Sequence, residues 1–230
     1  METMDTTPTW RRAGAEFVGT GLLVSIVVGS GIAAQRLSPG DTGVQLLENS
    51  FATALGLAVL IIVFESVSGS HFNPLVTLAD RVLGGSLSPA RTSAYAVAQV
   101  TGAIAGVVLA NAMFDTATAV SVTDRLSTGR VLGEIVATAG LVLVIFSLAR
   151  SGRTRLVGPA VGAYIGAAYW FTSSTSFANP AVTVGRIFTS TFAGIAPLSA
   201  LVFVLAQLVG AGVGVALVLI FFPPPRKATP

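Results

Sequence analysis

Six apolar stretches, each long enough or nearly long enough to cross a bilayer, dominate this 230-residue chain. A helical span needs roughly 20 mostly apolar residues. The stretches lie at about 13–34, 47–64, 92–113, 131–149, 156–172 and 198–222, and the fifth is short. Only 10% of the residues are charged, too few to cover the surface of a soluble domain. The sequence therefore predicts an all-α membrane protein with six transmembrane helices.

The composition excludes several classes of function. The chain has no cysteine and a single histidine, His71, so thiolate and histidine-cluster metal sites are excluded. The net charge of +3 is scattered over loops, which gives no support for a nucleic-acid partner. The sequence has no phosphate-binding loop and no Ser/His/Asp set. We therefore expect neither an enzyme nor a bound cofactor.

The basic residues are distributed unequally between the two groups of loops. Cytoplasmic loops of membrane proteins carry the excess of lysine and arginine. Nine lie at the termini and in the loops on one side (Arg11, Arg12, Arg81, Arg91, Arg150, Arg153, Arg155, Arg226, Lys227), and four on the other (Arg36, Arg125, Arg130, Arg186). The distribution predicts a multi-pass protein of the plasma or inner cell membrane with both termini in the cytoplasm.

Three sequence patterns recur in the same order in the two halves of the chain. The pairs are Glu16-xxx-Thr20 with Glu134-xxx-Thr138, residues 72–77 with 178–183, and Gln99-xx-Gly102-xxx-Gly106 with Gln207-xx-Gly210-xxx-Gly214. Their offsets are 118, 106 and 108 residues, which indicates a duplication with small loop insertions.

The duplication divides one membrane domain, residues 1–230, into two repeats with short polar tails at either end. Repeat 1 covers about 10–113 and repeat 2 about 130–222. Because each repeat contains three spans, the second enters the membrane from the opposite side. The sequence thus predicts an inverted 3+3 repeat.

Two short segments carry a resemblance to a known family. Residues 68–77 and 176–181 resemble the two signature loops of the aquaporins and aquaglyceroporins, the major intrinsic protein family. An Asn-Pro pair alone is common, but two copies at matching places in a six-span duplication are specific. The resemblance covers essentially the whole chain. It implies an aquaporin-like fold and a homotetramer with one pore per subunit.

The two Asn-Pro pairs predict half-helices that enter the membrane without crossing it. Asparagine caps a helix and proline suits its first position, so we expect half-helices at about 74–84 and 180–192. The motifs are Asn73-Pro74-Leu75 and Asn179-Pro180-Ala181, where Leu75 replaces the usual alanine. The two N-termini meet near the midplane, repel cations, and leave the asparagine amides to donate to a passing oxygen.

Three ionisable residues lie in the spans or in the loops that lead to the half-helices. We expect Glu16 and Glu134, which are acids inside spans, to accept hydrogen bonds from backbone N–H groups of the re-entrant loops, as the resemblance also implies. We expect His71 to order its own loop. The alternatives are a proton relay for the two glutamates and a pH-dependent gate for the histidine.

The resemblance also locates a selectivity filter. The family's filter arginine, directly after the second Asn-Pro-Ala, is Val182 here. Counting back without gaps gives Ser176, Ala167 and Thr53 for the other three positions. All four are small and uncharged, which predicts a wide filter without arginine. Arg186, about one helical turn further on, is expected to be a solvated residue at a helix end, although it could supply charge to the outer mouth.

These features favour a passive channel in the lipid bilayer for water and small uncharged solutes. A wide filter favours glycerol, urea or arsenous acid (neutral arsenite) over water alone. A secondary transporter is an alternative, because transporters also use inverted repeats and broken helices. A water-selective aquaporin and a membrane scaffold without conduction are the others.

Overall fold

The computed structural model describes residues 7–223, and this part of the chain is helical almost throughout. The helices are α1 Thr9–Leu37, α2 Thr42–Ser68, α3 Pro74–Val82, α4 Pro89–Met113, α5 Thr128–Arg150, α6 Val157–Phe171, α7 Pro180–Gly185 and α8 Pro197–Phe221. Between residues 7 and 223 no strand forms beyond one isolated bridge, Thr118 with Thr189. Arg226, Lys227 and the ends of both predicted polar tails lie outside the described residues.

Five helices, α1, α2, α4, α5 and α8, are long and apolar enough to cross a membrane. The sixth predicted span is α6, which has only 15 residues. At 1.5 Å per residue it is about 22 Å long, less than the ~30 Å hydrocarbon core. A 3₁₀ turn, Thr154–Leu156, precedes it directly. The prediction of six transmembrane helices and two half-helices agrees with this architecture.

Short polar side chains determine where several helices begin. Asp41 accepts from the backbone N–H of Val44 (2.9 Å) at the start of α2. Ser88 and Ser127 cap α4 and α5 by accepting from the N–H groups of Arg91 and Arg130. Each cap satisfies an N–H group that the first turn of a helix leaves without an acceptor.

The two repeats use the same helix contacts. Helix α1 packs against α4, and α5 packs against α8 in the same way. A methyl group on Gly102 would overlap the carbonyl oxygen of Phe17. In the second repeat a methyl group on Gly210 would lie 2.5 Å from the carbonyl oxygen of Ile135. The duplicated glycines therefore allow the backbones of paired helices to touch.

The half-helices start at the predicted prolines but differ in length. Helix α3 ends at Val82, two residues before the predicted end. Helix α7 ends at Gly185 and continues only as a 3₁₀ turn, Arg186–Phe188, so the predicted end at 192 is wrong. The cause is outside the helix: the Ile187 carbonyl accepts from Ser121 N–H (2.7 Å), and the Phe188 carbonyl accepts from the Asn111 amide (3.1 Å). These carbonyls are no longer free to continue an α-helix.

Contacts of basic side chains show which helix ends lie together. Arg91 Nε donates to Thr9 Oγ1 (3.3 Å), which joins the starts of α4 and α1. Arg150 donates to the carbonyls of Phe222 (2.5 Å) and Leu83 (3.3 Å), which joins the ends of α5, α8 and α3. Arg91 and Arg150 both belong to the group of loops that is richer in basic residues, and these contacts connect that group to the N-terminal end of α1 and the C-terminal ends of α3 and α8.

Candidate functional site

A cavity of about 370 Å³ lies between the two half-helices and the long helices around them. Arg186 and Thr53 line it beyond the C-terminal end of α7, and Asp80 lines it at the far end of α3. Asn73 and Asn179 lie between them. Its walls are mostly apolar, with side chains from the long helices α1, α2 and α5 and from α6 (Leu23, Val27, Leu57, Ile61, Leu141, Val161). The cavity has the form of a narrow pore with polar groups at a few positions.

The two Asn-Pro motifs meet inside this cavity and are tied to each other. Asn73 Nδ2 donates to the carbonyl of Ala178, and Asn179 Nδ2 donates to the carbonyl of Phe72, both at 2.8 Å. Each asparagine Oδ1 accepts from its own helix, from Leu75 N–H at 2.9 Å and from Ala181 N–H at 3.0 Å. An amide nitrogen carries two hydrogens. One N–H of each asparagine therefore remains for an oxygen in the pore.

The loops that lead to the motifs have a backbone conformation that sequence patterns did not indicate. Ser70 and Phe72 have φ values of 52° and 49°, and Ser176 and Ala178 have values of 49° and 46°. These pairs are separated by 106 positions, the same offset as the two Asn-Pro motifs. Left-handed conformations cost free energy in residues with a Cβ atom and persist only where other contacts impose them.

Glu16 and Glu134 supply these contacts. Glu16 accepts from the N–H groups of His71 (3.0 Å) and Phe72 (2.6 Å). Glu134 accepts from those of Phe177 and Ala178, both at 2.9 Å. Both carboxylates are fully buried. Each carboxylate thus binds the N–H groups of its loop at the point where the backbone is left-handed.

A glutamine and a threonine repeat in the same places around the carboxylates. Gln99 Nε2 donates to Glu16 (2.8 Å) and to Thr77 Oγ1 (3.0 Å). Gln207 Nε2 donates to Glu134 (2.6 Å) and to Thr183 Oγ1 (2.9 Å). The glutamine of the third duplicated pattern therefore connects the carboxylate to the half-helix. In the sequence alone, this glutamine is recognisable only as part of a repeated pattern.

His71 lines the cavity beside Asn73. Its Nδ1 lies 3.1 Å from Thr77 Oγ1. Its ring contacts that of Tyr95 edge to face, with 5.7 Å between the ring centroids. Tyr95 in turn donates to the carbonyl of Ser68 (2.8 Å). The histidine is thus connected both to the half-helix and to the loop that leads to it.

Three of the four expected filter residues come together, and the fourth does not. Thr53, Ser176 and Val182 line the cavity near Arg186. Ala167 is exposed on the outer side of α6 and does not line it.

Tyr169 occupies the place expected for Ala167, with its hydroxyl 3.2 Å from Thr53 Oγ1. The lining residues of α6 are Val157, Val161, Ile165 and Tyr169, spaced four apart as on one helix face. Ala167 lies on the opposite face, two residues and about 200° from Tyr169. The count without gaps was therefore wrong at this position, and helical periodicity along α6 could have identified the tyrosine.

The expectation that Arg186 is solvated is also wrong. Arg186 is only 2% exposed and lines the cavity. Its Nε donates to the carbonyl of Ala193 (2.5 Å), and its guanidinium lies over the ring of Phe177, 3.5 Å from the centroid. The 3₁₀ turn after α7 turns this side chain back toward the pore. The chain thus has valine at position 182, where the family's filter arginine is expected, and a buried arginine at position 186.

Comparisons with known proteins extend over nearly the whole chain. The model of the major intrinsic protein family matches residues 3–176. An aquaglyceroporin, AqpS, of Rhizobium meliloti (strain 1021) is 47% identical over 217 residues, which are 94% of this chain and 92% of that protein. A probable TIP-type aquaporin of Medicago truncatula is 35% identical over 195 residues, 78% of this chain and 76% of that protein.

A solved structure has the same fold. The X-ray structure of the aquaglyceroporin from Plasmodium falciparum has a TM-score of 0.68 with 19% sequence identity. The alignment covers 94% of this chain and 96% of that one. At this identity the likeness establishes the architecture alone, including the part of this chain that follows the family match.

Proposed function

The chain belongs to the major intrinsic protein family, whose members are channels and not enzymes, and on that premise we propose that its pore passes neutral solutes as large as glycerol, urea or arsenous acid as well as water. Membership of the family itself implies a membrane channel for water and small solutes. Val182 carries the proposal for the larger solutes, because this small uncharged side chain lines the cavity in the turn directly after Asn179.

The arrangement at the centre of the pore supports a passive mechanism. Asn73 and Asn179 each retain one N–H for an oxygen of the passing solute, and apolar walls offer no competing partner. A hydroxyl or carbonyl oxygen can accept from both amides and then leave quickly. A cation would instead meet N–H groups at the starts of α3 and α7, which carry partial positive charge. The pore therefore favours neutral hydrogen-bond acceptors.

We further propose roles for the residues around the motifs. Glu16 and Glu134 hold the re-entrant loops in place, and His71 orders the loop before Asn73. The Val182, Thr53 and Ser176 side chains, with Tyr169 in place of Ala167, form the selective end of the pore. The protein is proposed to be a homotetramer in the cell membrane with both termini in the cytoplasm.

The experiment compares solutes in parallel. Purified protein in vesicles is tested by light scattering for permeability to water, glycerol, urea and arsenous acid. We expect glycerol and urea to enter well above the rate of protein-free vesicles. A pore that conducts water but excludes both solutes would contradict the proposed solute range and would indicate a water-selective aquaporin.

Val182→Arg tests the residue on which the proposal depends. The long cationic side chain should lower glycerol and urea flux about tenfold relative to water flux, equivalent to an added barrier of ~1.4 kcal/mol. Val182→Thr, which keeps the volume of valine, is the matched control and should leave the ratio of solute to water flux unchanged. An equal reduction of both fluxes by the arginine would contradict the assignment of Val182 to the filter.

A further inference from the structure

Arg186 is a cation that is buried beside the cavity. Among residues 7–223 it makes no ion pair with a carboxylate, and its side chain donates one hydrogen bond, from Nε to Ala193. The two terminal nitrogens donate to no protein atom in this part of the chain, although the residue is only 2% exposed. Burial of an unpaired charge is costly. A group kept in this state, beside a cavity, points to a ligand.

The surrounding loop holds this guanidinium in one position. Its Nε is fixed by Ala193, and the ring of Phe177 lies beneath it. Arg125 braces the same loop, because it donates to the carbonyls of Gly194 and Phe192, both at 2.7 Å. Burial lowers the pKa of Arg125 to about 10, so this brace stays charged at neutral pH. The guanidinium is therefore preorganised.

Three side chains with hydroxyl groups line the same cavity as Arg186. Thr53, Tyr169 and Ser176 line the same end. The hydroxyl of Ser176 is buried and has no hydrogen-bond partner among the described residues. Val182, which lies between Asn179 and Arg186 in the chain, also lines the cavity, and its side chain contributes no polar atom. This end of the pore thus combines a guanidinium, whose terminal nitrogens have no acceptor among the described residues, with three hydroxyls and one apolar side chain.

We propose that Arg186 is the selectivity-determining cation of this pore: it donates from its terminal nitrogens to the oxygens of a neutral polyhydroxylated solute and repels cations. The inference rests on the proposed channel function and deepens it. This chain has its arginine at position 186, about one helical turn after position 182, where it can still repel cations. The valine at position 182 leaves room for a solute wider than water. The filter is then both wide and positively charged.

Cysteine labelling tests whether residue 186 faces the solute path. The chain contains no cysteine, so Arg186→Cys carries a single thiol. A positively charged methanethiosulfonate reagent added to vesicles should lower urea flux through Arg186→Cys about tenfold. Ser190→Cys, an exposed position in the same loop and outside the cavity lining, is the matched control and should keep its flux. Unchanged flux after reagent treatment of Arg186→Cys would contradict the proposal.

Charge replacement tests the electrostatic role. Arg186→Gln removes the charge and Arg186→Lys keeps it. We expect the ratio of methylammonium to urea permeability to rise about tenfold in the glutamine variant, the factor that one charge-assisted interaction provides, and to remain low in the lysine variant. An unchanged ratio in Arg186→Gln, in protein that still conducts urea, would overturn the proposal.

The two proposals fail in different ways. Wild-type vesicles with no urea or glycerol flux above protein-free vesicles would contradict the channel function itself. Wild-type flux together with an unblocked Arg186→Cys and a cation-tight Arg186→Gln would contradict only the role of Arg186. Should Arg186→Gln not fold, the thiol experiment still decides whether residue 186 lies in the path.

Discussion

At the scale of single residues, the re-entrant loops of the pore depend on two buried carboxylates that accept hydrogen bonds on both oxygens. Glu134 accepts from Phe177 N–H on one oxygen, and from Ala178 N–H and Gln207 Nε2 on the other. A carboxylate with donors on both oxygens holds a left-handed loop without any proton transfer. The geometry thus supports bracing in preference to a proton relay.

Glu134→Gln should therefore be strongly destabilising although it is nearly isosteric. A glutamine must place an NH₂ donor against the N–H groups of the loop or against Gln207. We expect the free energy of unfolding to fall by about 2–3 kcal/mol, as for loss of a hydrogen bond to a charged group. Thermal unfolding in detergent measures the change.

Glu48→Gln is the control for this substitution. Glu48 accepts a single hydrogen bond, from the hydroxyl of Ser38 (2.8 Å), which a glutamine oxygen can also accept. Its unfolding midpoint should stay close to that of the wild type. A Glu134→Gln variant as stable as Glu48→Gln would show that the carboxylate does not brace the loop.

Sequence patterns predicted some of these residues and not others for a physical reason. Asn73, Asn179, Glu16 and Glu134 belong to duplicated patterns with local consequences, namely caps and buried acids. The position of Arg186 depends on Ile187 and Phe188 carbonyls that accept from Ser121 and Asn111. Contacts over such separations leave no periodic signal in the sequence, so the sequence does not indicate that this arginine is buried.

At the scale of elements, the sequence predicts which segments form helices better than it predicts where those helices end. The starts of α3 and α7 follow from Pro74 and Pro180, whose missing N–H is harmless at a first helical position. The end of α7 follows from tertiary hydrogen bonds instead, and so it falls at Gly185. The lining face of α6 follows from helical periodicity, which a count along the sequence without gaps did not use.

Close helix contact in the second repeat gives a prediction with a control on the same helix. A methyl group on Gly210 would lie 2.5 Å from the carbonyl of Ile135, whereas one on Gly212 would have no atom within 4 Å. Gly210→Ala should lower the free energy of unfolding by about 1–3 kcal/mol, as for overpacking. Gly212→Ala should be neutral or stabilise by up to about 1 kcal/mol, the helix propensity of alanine over glycine.

Thermal unfolding of both alanine variants provides the measurement. The comparison removes the effect of helix propensity, because both substitutions lie in α8 and replace the same residue type. Equal stability of the two variants would contradict direct backbone contact between α5 and α8.

At the scale of the whole molecule, the inverted repeat gives the pore its two different ends. The end beyond α7 has the buried guanidinium of Arg186, and the other has the carboxylates of Glu65 and Asp80 in its lining. Between the two ends, Asn73 and Asn179 each keep one amide N–H for an oxygen in the pore. Such a path needs no moving part and no coupled ion, in contrast to a secondary transporter.

The most direct test of a passive channel is the dependence of glycerol flux on glycerol concentration. Wild-type protein in vesicles is measured over a wide concentration range, with and without proton and sodium gradients, and at several temperatures. The account predicts flux that rises linearly without saturation, is independent of either gradient and has a low activation energy. Saturation, or flux that requires an ion gradient, would contradict it and indicate a transporter.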